Sequence, residues 1–421
     1  MLRTVCLFVV VLPAALSACA HHATFHGTVA SPGRVPADER LAAREEWSPQ
    51  LPDQTAVLPP ACPGADGGLY RSLTERECQC LAAANAAVPA LLQMENWLSA
   101  AADSRCLCTQ GEAGSLQRRL RRLREFQLRN EAAKEALLRY YDLAEAEAAR
   151  YAACRSLDVI DRTIQDVEQL AEQGVLLNGT VEELRRRQLE VQQQLADLVV
   201  TIDGLNRAIY YRLGLGDRQP YALWPDLGLE LHPQAPPLED VLATGMTMRA
   251  ELNILRIMRA ELIDENLPIA RGILQQADPS LGITPGKQSH LCKLLGLHED
   301  DELAIRDGQL LRLLREREEQ ISAEIQAQLT ALEVRAQQVL LASTQVDNAK
   351  RVLDDLIELR RVGRGMPLDI SQAELRVFQQ EHELMNRFLA WKRAQVELAA
   401  SLGVLAAECG FDVTKIGCCC Q

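Results

Sequence analysis

The chain has 421 residues, of which 48% are hydrophobic and only 4% aromatic, and it carries a formal net charge of −13. Its size allows a large buried core, but a composition poor in aromatics and rich in Ala, Leu, Glu, Gln and Arg favours long packed helices over an ordinary globular enzyme. The negative net charge argues against binding to nucleic-acid phosphates. We interpret the arginine-rich residues 118–124 as a solvated helix face.

The amino terminus is predicted to direct export. Arg3 precedes an apolar stretch that is too short for a stable membrane anchor, which is typical of a signal peptide over residues 1–18. Residues 16–19 (Leu-Ser-Ala-Cys) resemble the lipobox of bacterial lipoproteins, so Cys19 is the predicted lipidation site and first mature residue. Ala20, rather than Asp, follows this cysteine, which implies the outer membrane. The alternative is an ordinary signal peptide cleaved near Ala20.

Two long segments contain neither Gly nor Pro, at residues 115–173 and 309–362. Each predicts a single helix of roughly 80–90 Å at about 1.5 Å per residue. A Gly-containing turn ends each segment, at residues 174–179 and 363–367, and a second helical pattern follows each turn. The sequence therefore predicts two long helical hairpins, with a further helical segment before each long helix.

The two halves form an internal repeat at an offset of 189 residues, which places Gly174 on Gly363. Apolar residues at heptad spacing run into both turns at matching positions: Leu157, Ile160, Ile164 and Val167 in the first half, and Val346, Ala349, Leu353 and Leu356 in the second. Capping boxes are predicted after the turns, pairing Thr180 with Glu183 and Asp369 with Gln372. The two hairpin tips are therefore expected to be equivalent.

These features divide the chain into five predicted parts. They are the signal peptide over residues 1–18, a Pro- and Ala-rich tether over 19–69, a first helical repeat over 70–220, a second over 235–405, and a cysteine-rich tail over 406–421. The fold class predicted from them is mainly α, with few or no β-strands. The two repeats are expected to be tandem antiparallel coiled-coil hairpins.

The ordered motifs resemble the TolC family of outer-membrane efflux proteins over about residues 70–405. The first feature is the internal repeat. The second is a pair of short motifs, N-x-x-x-P beginning at Asn85 and R-x-E-L beginning at Arg249. The third is the pair of turn sequences "EQGVLLNGT" and "RVGRGMPLD", each followed by a long helix rich in Gln, Glu, Leu and Ala. The resemblance implies that three copies form a hollow helical cylinder in the periplasm. It also implies docking to a periplasmic adaptor protein and an inner-membrane transporter, with a lipid anchor in the outer membrane and no cofactor.

The resemblance assigns roles to the turns between the helices. It implies that Gly174, Thr180, Gly363 and Asp369 lie at the adaptor-docking tips, and that Asp369 narrows the entrance of the tunnel. Gln372 stands where the family has a second acidic residue, so the predicted constriction has one carboxylate per copy. The alternative for Asp369 is a helix cap, and the two roles are compatible.

The family's membrane-crossing strands are expected to be reduced or missing. A transmembrane strand needs about 9–11 residues, and residues 106–114 cannot hold two of them. The second gap, residues 276–308, offers only residues 279–284 (Pro-Ser-Leu-Gly-Ile-Thr) as an alternating segment. This departure puts pore formation in question and leaves a barrel-less periplasmic scaffold or spacer lipoprotein as the alternative function.

Cysteine and histidine residues suggest a third and weaker function, metal sequestration. The sets are Cys78, Cys80, Cys106 and Cys108, the tail cysteines of residues 417–421, His21, His22 and His26, and His290, Cys292 and His298. Disulfides or unused thiols explain the first set better, since an i, i+2 spacing does not put two thiols on one helix face. No metal site and no catalytic arrangement is predicted, so we do not expect an enzyme.

Overall fold

The computed structural model describes residues 55–56, 70–105, 112–173, 178–216, 221–228, 231, 235–283, 300–364 and 366–411. Its strands are β1 (Thr55–Ala56), β2 (Tyr70–Thr74) and β3 (Ala222–Asp226). The helices of the first half are α1 (Glu75–Asn85), α2 (Ala87–Arg105), α3 (Glu112–Glu172) and α4 (Asn178–Arg212). Those of the second half are α5 (Leu238–Met248), α6 (Ala250–Ala260), α7 (Leu267–Ala277), α8 (Asp300–Arg361), α9 (Pro367–Leu402) and α10 (Leu405–Glu408).

The two predicted hairpins are confirmed, and they are equivalent. The long helices α3 and α8 have 61 and 62 residues, which corresponds to about 90 Å each. Helix α3 ends at Glu172 and α8 at Arg361, whereas α4 begins at Asn178 and α9 at Pro367. Both pairs of positions are 189 residues apart, which is the offset of the sequence repeat.

The four long helices form one layer in the order α4, α3, α9 and α8. Helix α3 packs against both α4 and α9, and α9 packs against α8. The predicted heptad residues Ile160 and Val167 are buried in a cluster with Leu375 and Phe378 of α9, so the seam joins the two hairpins. Closer to the other end of the layer, Trp391 of α9 is fully buried in a second cluster. Helices α4 and α8 are therefore the two edges of the layer.

Helices α4 and α9 end with the same glycine capping motif. Gly214 and Gly403 both have a positive φ, +67° and +75°, and the N–H of the residue after each glycine bonds a carbonyl one turn back, as in a Schellman motif. The opening motifs recognised in the sequence meet these ends. The Asn85 side chain donates to the Leu213 carbonyl at 2.7 Å, and Arg249 donates to the Ser401 carbonyl at 3.1 Å. Each motif therefore fixes the end of a second hairpin helix.

Replacing Gly214 with Ala is expected to lower the free energy of unfolding by about 1–2 kcal/mol, because a left-handed residue with a Cβ is strained. The added Cβ would also lie 2.9 Å from the Asn85 Cβ. Gly204→Ala is the matched control in the interior of α4, where the new methyl group meets nothing within 4 Å. That change should instead stabilise the fold by about 0.5–1 kcal/mol. Denaturant unfolding of the two variants measures both effects, and equal effects of one sign would contradict this explanation.

A small sheet and a disulfide tie the remaining segments to α3 and α4. Strand β2 pairs antiparallel with β1 and parallel with β3. The Tyr140 hydroxyl of α3 donates to the Asp226 carbonyl at 2.8 Å, which fixes the end of β3. Cys80 of α1 forms a disulfide with Cys409, just after α10. Cys78 is a buried free thiol whose pKa is raised by burial.

The predicted capping boxes are wrong. Helix α9 begins at Pro367 with Met366 as its N-cap, so Asp369 is the third residue of the helix rather than the residue before it. Proline at the first helical position has the required φ and needs no partner for an N–H. Helix α4 begins at Asn178, which places Thr180 at the equivalent third position.

Other predicted segments also differ in detail. The first helical segment before a long helix is two helices, α1 and α2, and the second is three, α5 to α7. The alternating segment at residues 279–284 is a turn over its described part, where the Asp278 carboxylate accepts from the Ser280 N–H at 2.8 Å. Residues 106–111 and 284–299, where the family would place strands, lie outside the described residues. None of the helices that the structure describes is both long and apolar enough to cross a membrane.

Candidate functional site

The tip of the second hairpin is open and exposed. The Gly363 φ of +78° lets α8 end, and the N–H of Arg364 bonds the Leu359 carbonyl at 2.9 Å. A Cβ at Gly363 would meet nothing within 4 Å. Val362 and Met366 on either side of this glycine are exposed apolar residues. The tip therefore presents apolar surface with nothing in the described chain packed on it.

Asp369 and Gln372 lie together next to this tip. Both are exposed and are three residues apart on α9, so they lie on one side of the helix. Asp369 is in the first turn of α9, where a carboxylate also interacts favourably with the partial positive charge of the helix end. The structure thus groups Gly363, Asp369 and Gln372 at the tip of the second hairpin.

The other predicted site residues are less well defined. Gly174 and Cys19 lie outside the described residues. Thr180 is the third residue of α4, and its side chain is not among those described. The equivalence of the first tip therefore rests on the matching ends of α3 and α8 and the matching starts of α4 and α9.

Ion pairs join the two hairpins away from the tips. Glu381 of α9 contacts Arg155 of α3 at 2.9 Å and Lys350 of α8 at 3.0 Å. Arg162 of α3 contacts Glu374 of α9 at 3.2 Å. These side chains are partly exposed, so each pair contributes little to stability. Two of the three pairs, Arg155–Glu381 and Arg162–Glu374, link helices of the two repeats, whereas Lys350–Glu381 lies within the second hairpin.

One edge of the layer carries an apolar stripe on α4. The α4 stripe consists of Leu189, Val200 and Tyr211, which are exposed and lie 11 residues apart. Eleven residues are close to three helical turns, so the three side chains share one face. The residues of α4 that are buried, such as Ile202 and Ile209, lie on the opposite face toward α3. The α4 stripe therefore points away from the rest of the chain.

The other edge carries a second apolar stripe on α8. The α8 stripe consists of Val334, Leu341, Val352 and Leu359, all exposed. Their spacings of 7, 11 and 7 residues correspond to about two, three and two turns, so they also share one face. The face of α8 that packs against α9 and its neighbours includes Val339 instead. The layer thus has an exposed apolar stripe on each edge.

The two stripes match in height above the tips. Val200 follows the start of α4 by 22 residues, and Leu341 precedes the end of α8 by 20, so both lie about 30 Å from the tips. Leu189 and Val352 correspond in the same way at about 15 Å. Sequence reasoning missed the stripes, although their 11-residue spacing is a signal that the sequence contains. The edges are therefore suited to pack against one another in different copies.

Among the residues that the structure describes, no three His, Cys, Asp or Glu side chains are grouped as metal ligands. The histidine sets and the tail cysteines considered as metal ligands lie outside those residues. Of the first cysteine set, Cys80 is used in the disulfide with Cys409.

Comparison with known proteins identifies the fold. No family model matches the chain, and no curated protein matches it. Among solved structures, CusC matches with a TM-score of 0.56 and 12% identity, over 78% of this chain and 91% of that chain. The Campylobacter jejuni CmeC outer membrane channel matches with a TM-score of 0.50 and 12% identity, over 72% of this chain and 68% of that chain. The outer-membrane channel OprN matches with a TM-score of 0.50 and 14% identity, over 69% and 70%. This chain has the fold of the TolC family of outer-membrane channels.

Proposed function

We propose that this protein is an efflux or secretion conduit component of the outer membrane, in which three copies form a helical tunnel in the periplasm. The layer of two equivalent hairpins carries the proposal, because its fold is that of the channels CmeC, CusC and OprN. A conduit needs no catalytic group, so we propose no enzymatic activity. The transported substrate would be selected by the transporter rather than by this chain.

We propose that the copies pack edge to edge, with the α4 stripe of one copy against the α8 stripe of the next. The matching heights support this arrangement, and an unpacked layer would leave both stripes in water. A photo-crosslinking residue at Val200 should form a bond with α8 of a neighbouring copy near Leu341. Crosslinks confined to a single chain would overturn this contact.

We further propose that the hairpin tips dock a periplasmic adaptor, which couples the tunnel to an inner-membrane transporter. The exposed Val362 and Met366 on either side of Gly363 support this role, since an unpacked apolar tip is suited to a helical partner. A bulky residue at Gly363 should weaken adaptor crosslinking. A Glu substitution at Gln117, which is exposed and lies near the other end of α3, is the control and should leave adaptor crosslinking unchanged.

Asp369→Asn is expected to weaken the cation preference or cation block of the tunnel, because a ring of carboxylates raises the local cation concentration. Its stability cost should stay below about 1 kcal/mol, the usual range for a charge near a helix end. Gln372→Glu adds a second ring about one turn away and should change the cation response in the opposite direction. Ion selectivity in planar bilayers measures both variants. An unchanged response in both would exclude Asp369 from a constriction.

The proposed anchor is a lipid on Cys19, after removal of residues 1–18, with residues 19–69 as the tether. Cys19→Ser should release the protein from outer-membrane fractions or leave its signal peptide uncleaved, because serine lacks the thiol that is lipidated. Immunoblots of fractionated cells test this, with Cys78→Ser as the control for loss of a thiol elsewhere. Identical fractionation of the Cys19 variant and the unaltered protein would exclude lipid anchoring at this residue.

The alternative function is a barrel-less periplasmic scaffold or spacer that keeps the hairpins but conducts nothing. The short segment available at residues 106–114 favours this alternative. Both functions predict edge-to-edge packing and adaptor contacts, so these properties do not distinguish them. Channel conductance does.

A further inference from the structure

A cavity of about 450 Å³ lies between α3, α9 and the end of β3. Helix α3 lines it from Ala144 to Arg155, which is about 16 Å along the helix axis. Most of the remaining wall is aromatic or otherwise apolar, formed by Tyr151, Trp224, Leu227, Phe378 and Met385. Arg155 is 17 residues, or about 25 Å, from the end of α3 at Glu172, so the cavity is separate from the tips. Its volume and walls are typical of a small-molecule site.

Arg155 stands at the end of the cavity that is nearer to the tips. Its side chain is 39% exposed. The guanidinium carbon lies 3.8 Å from the centre of the Phe378 ring and 5.7 Å from the centre of the Tyr151 ring, so two aromatic rings orient the group. Its Nη1 donates to Oε2 of Glu381 at 2.9 Å. A guanidinium has five N–H donors, so Arg155 can also donate to a second acceptor.

The charged side chains grouped at this end have a positive sum. Glu381 lies between two cations, at 2.9 Å from Arg155 and 3.0 Å from Lys350. Two positive side chains and one negative side chain leave a net charge of +1. All three side chains are partly exposed, so this charge is accessible to a ligand.

The other carboxylates of the lining do not oppose an anion at this end. Glu147 is paired with Arg150 at 2.6 Å, and its oxygens are buried. Asp226 is exposed at the other end of the cavity, where its carbonyl accepts from the Tyr140 hydroxyl at 2.8 Å. Tyr140 and Arg155 are 15 residues apart on α3, or about 22 Å. Exposed charges at such a separation are largely screened by salt, so the cavity has one positive end.

We propose that this cavity binds an amphipathic organic carboxylate. The carboxylate of the ligand would accept hydrogen bonds from Arg155, since a guanidinium matches a carboxylate in geometry and charge. The apolar or aromatic part would pack between Tyr151, Trp224 and Phe378, and its burial contributes affinity that does not depend on charge. Uncharged compounds of the same shape lack the contact with Arg155, and amines are repelled by it. Both are expected to bind more weakly.

The test is calorimetric titration of the full-length protein, in one nonionic detergent throughout, with 4-phenylbutyrate and its uncharged analogue 4-phenyl-1-butanol. The carboxylate is expected to bind more tightly than the alcohol. Arg155→Gln removes the charge and should lower carboxylate affinity about tenfold to hundredfold, the range of a hydrogen bond to a charged group. Affinity for the alcohol should change much less. Glu381→Gln removes the neighbouring negative charge and should raise carboxylate affinity, whereas a purely structural role of the ion pair would lower it.

Two further variants locate the site and control for charge. Arg162→Gln is the matched control, because Arg162 pairs with Glu374 at 3.2 Å between the same two helices but outside the cavity lining, and both affinities should stay unchanged. Ala148→Leu fills the cavity and should remove binding of both compounds. Thermal unfolding shows whether each variant is folded. The proposal is overturned if the carboxylate binds no more tightly than the alcohol, if neither compound binds, if a folded Arg155→Gln variant keeps full carboxylate affinity, or if a folded Glu381→Gln variant loses it.

Discussion

Leu341→Glu is expected to convert the proposed trimer into monomers. Leu341 is 66% exposed within one copy, so the change should alter the stability of the monomer by no more than about 0.5 kcal/mol. In the assembly the new carboxylate would be buried at every contact between copies, opposite the α4 stripe. A buried charge without a partner costs several kcal/mol, and a closed ring contains this contact three times. Light scattering across micromolar concentrations measures the change in mass.

Matched variants separate the edge from a general effect of charge. Val200→Glu places the same charge on the opposing α4 stripe and should be equally disruptive. Gln165→Glu adds a charge to an exposed position of α3, which lies inside the layer between α4 and α9, and should leave the trimer intact. Monomeric unaltered protein, or trimers of the Leu341→Glu variant, would contradict edge-to-edge packing.

Removing the disulfide between Cys80 and Cys409 is expected to lower the free energy of unfolding by about 2–5 kcal/mol. The bond joins α1 to the residue after α10, across a sequence separation of 329 residues. In the unfolded chain it restricts a long loop, and in the folded chain it holds α10 against α1 and α3. Denaturant unfolding of the Cys80→Ala/Cys409→Ala variant measures the loss.

The single variants provide the sharper test of this bond. Cys80→Ala and Cys409→Ala each break the same disulfide, so either variant alone should lower the free energy of unfolding nearly as much as the double variant does. Cys78→Ala is the control, because this thiol is also buried in α1 but forms no disulfide. Single-variant effects that add up to the double-variant effect would show that the two thiols act independently.

The hairpins could be predicted from sequence because their signals are long and redundant. Two long segments without Gly or Pro, heptad residues such as Ile160 and Val167, and glycines at one offset all indicate the same repeat. Gly214 and Gly403 lie at the same offset and end α4 and α9, because glycine adopts their left-handed backbone readily. Agreement among independent local signals is what made this part of the fold predictable.

Other features depend on contacts between distant segments and were not predictable in the same way. Asp369 and Gln372 matched a capping pattern, but α9 begins at Pro367, three residues before the start that an Asp369 cap predicts. No spacing rule pairs Cys80 with Cys409, because the pairing follows from the packing of α10 on α1. Patterns in a single sequence contain no direct information on contacts between distant segments.

The most direct test of the proposed function is the conductance of the purified, lipid-anchored protein in planar bilayers. The proposal predicts discrete channel steps that require assembly, so the Leu341→Glu variant, prepared identically, should give none. The Gln165→Glu variant should conduct as the unaltered protein does. If the unaltered protein is trimeric and bound to the membrane but gives no channel steps, the proposed conduit function is contradicted and the barrel-less scaffold is supported.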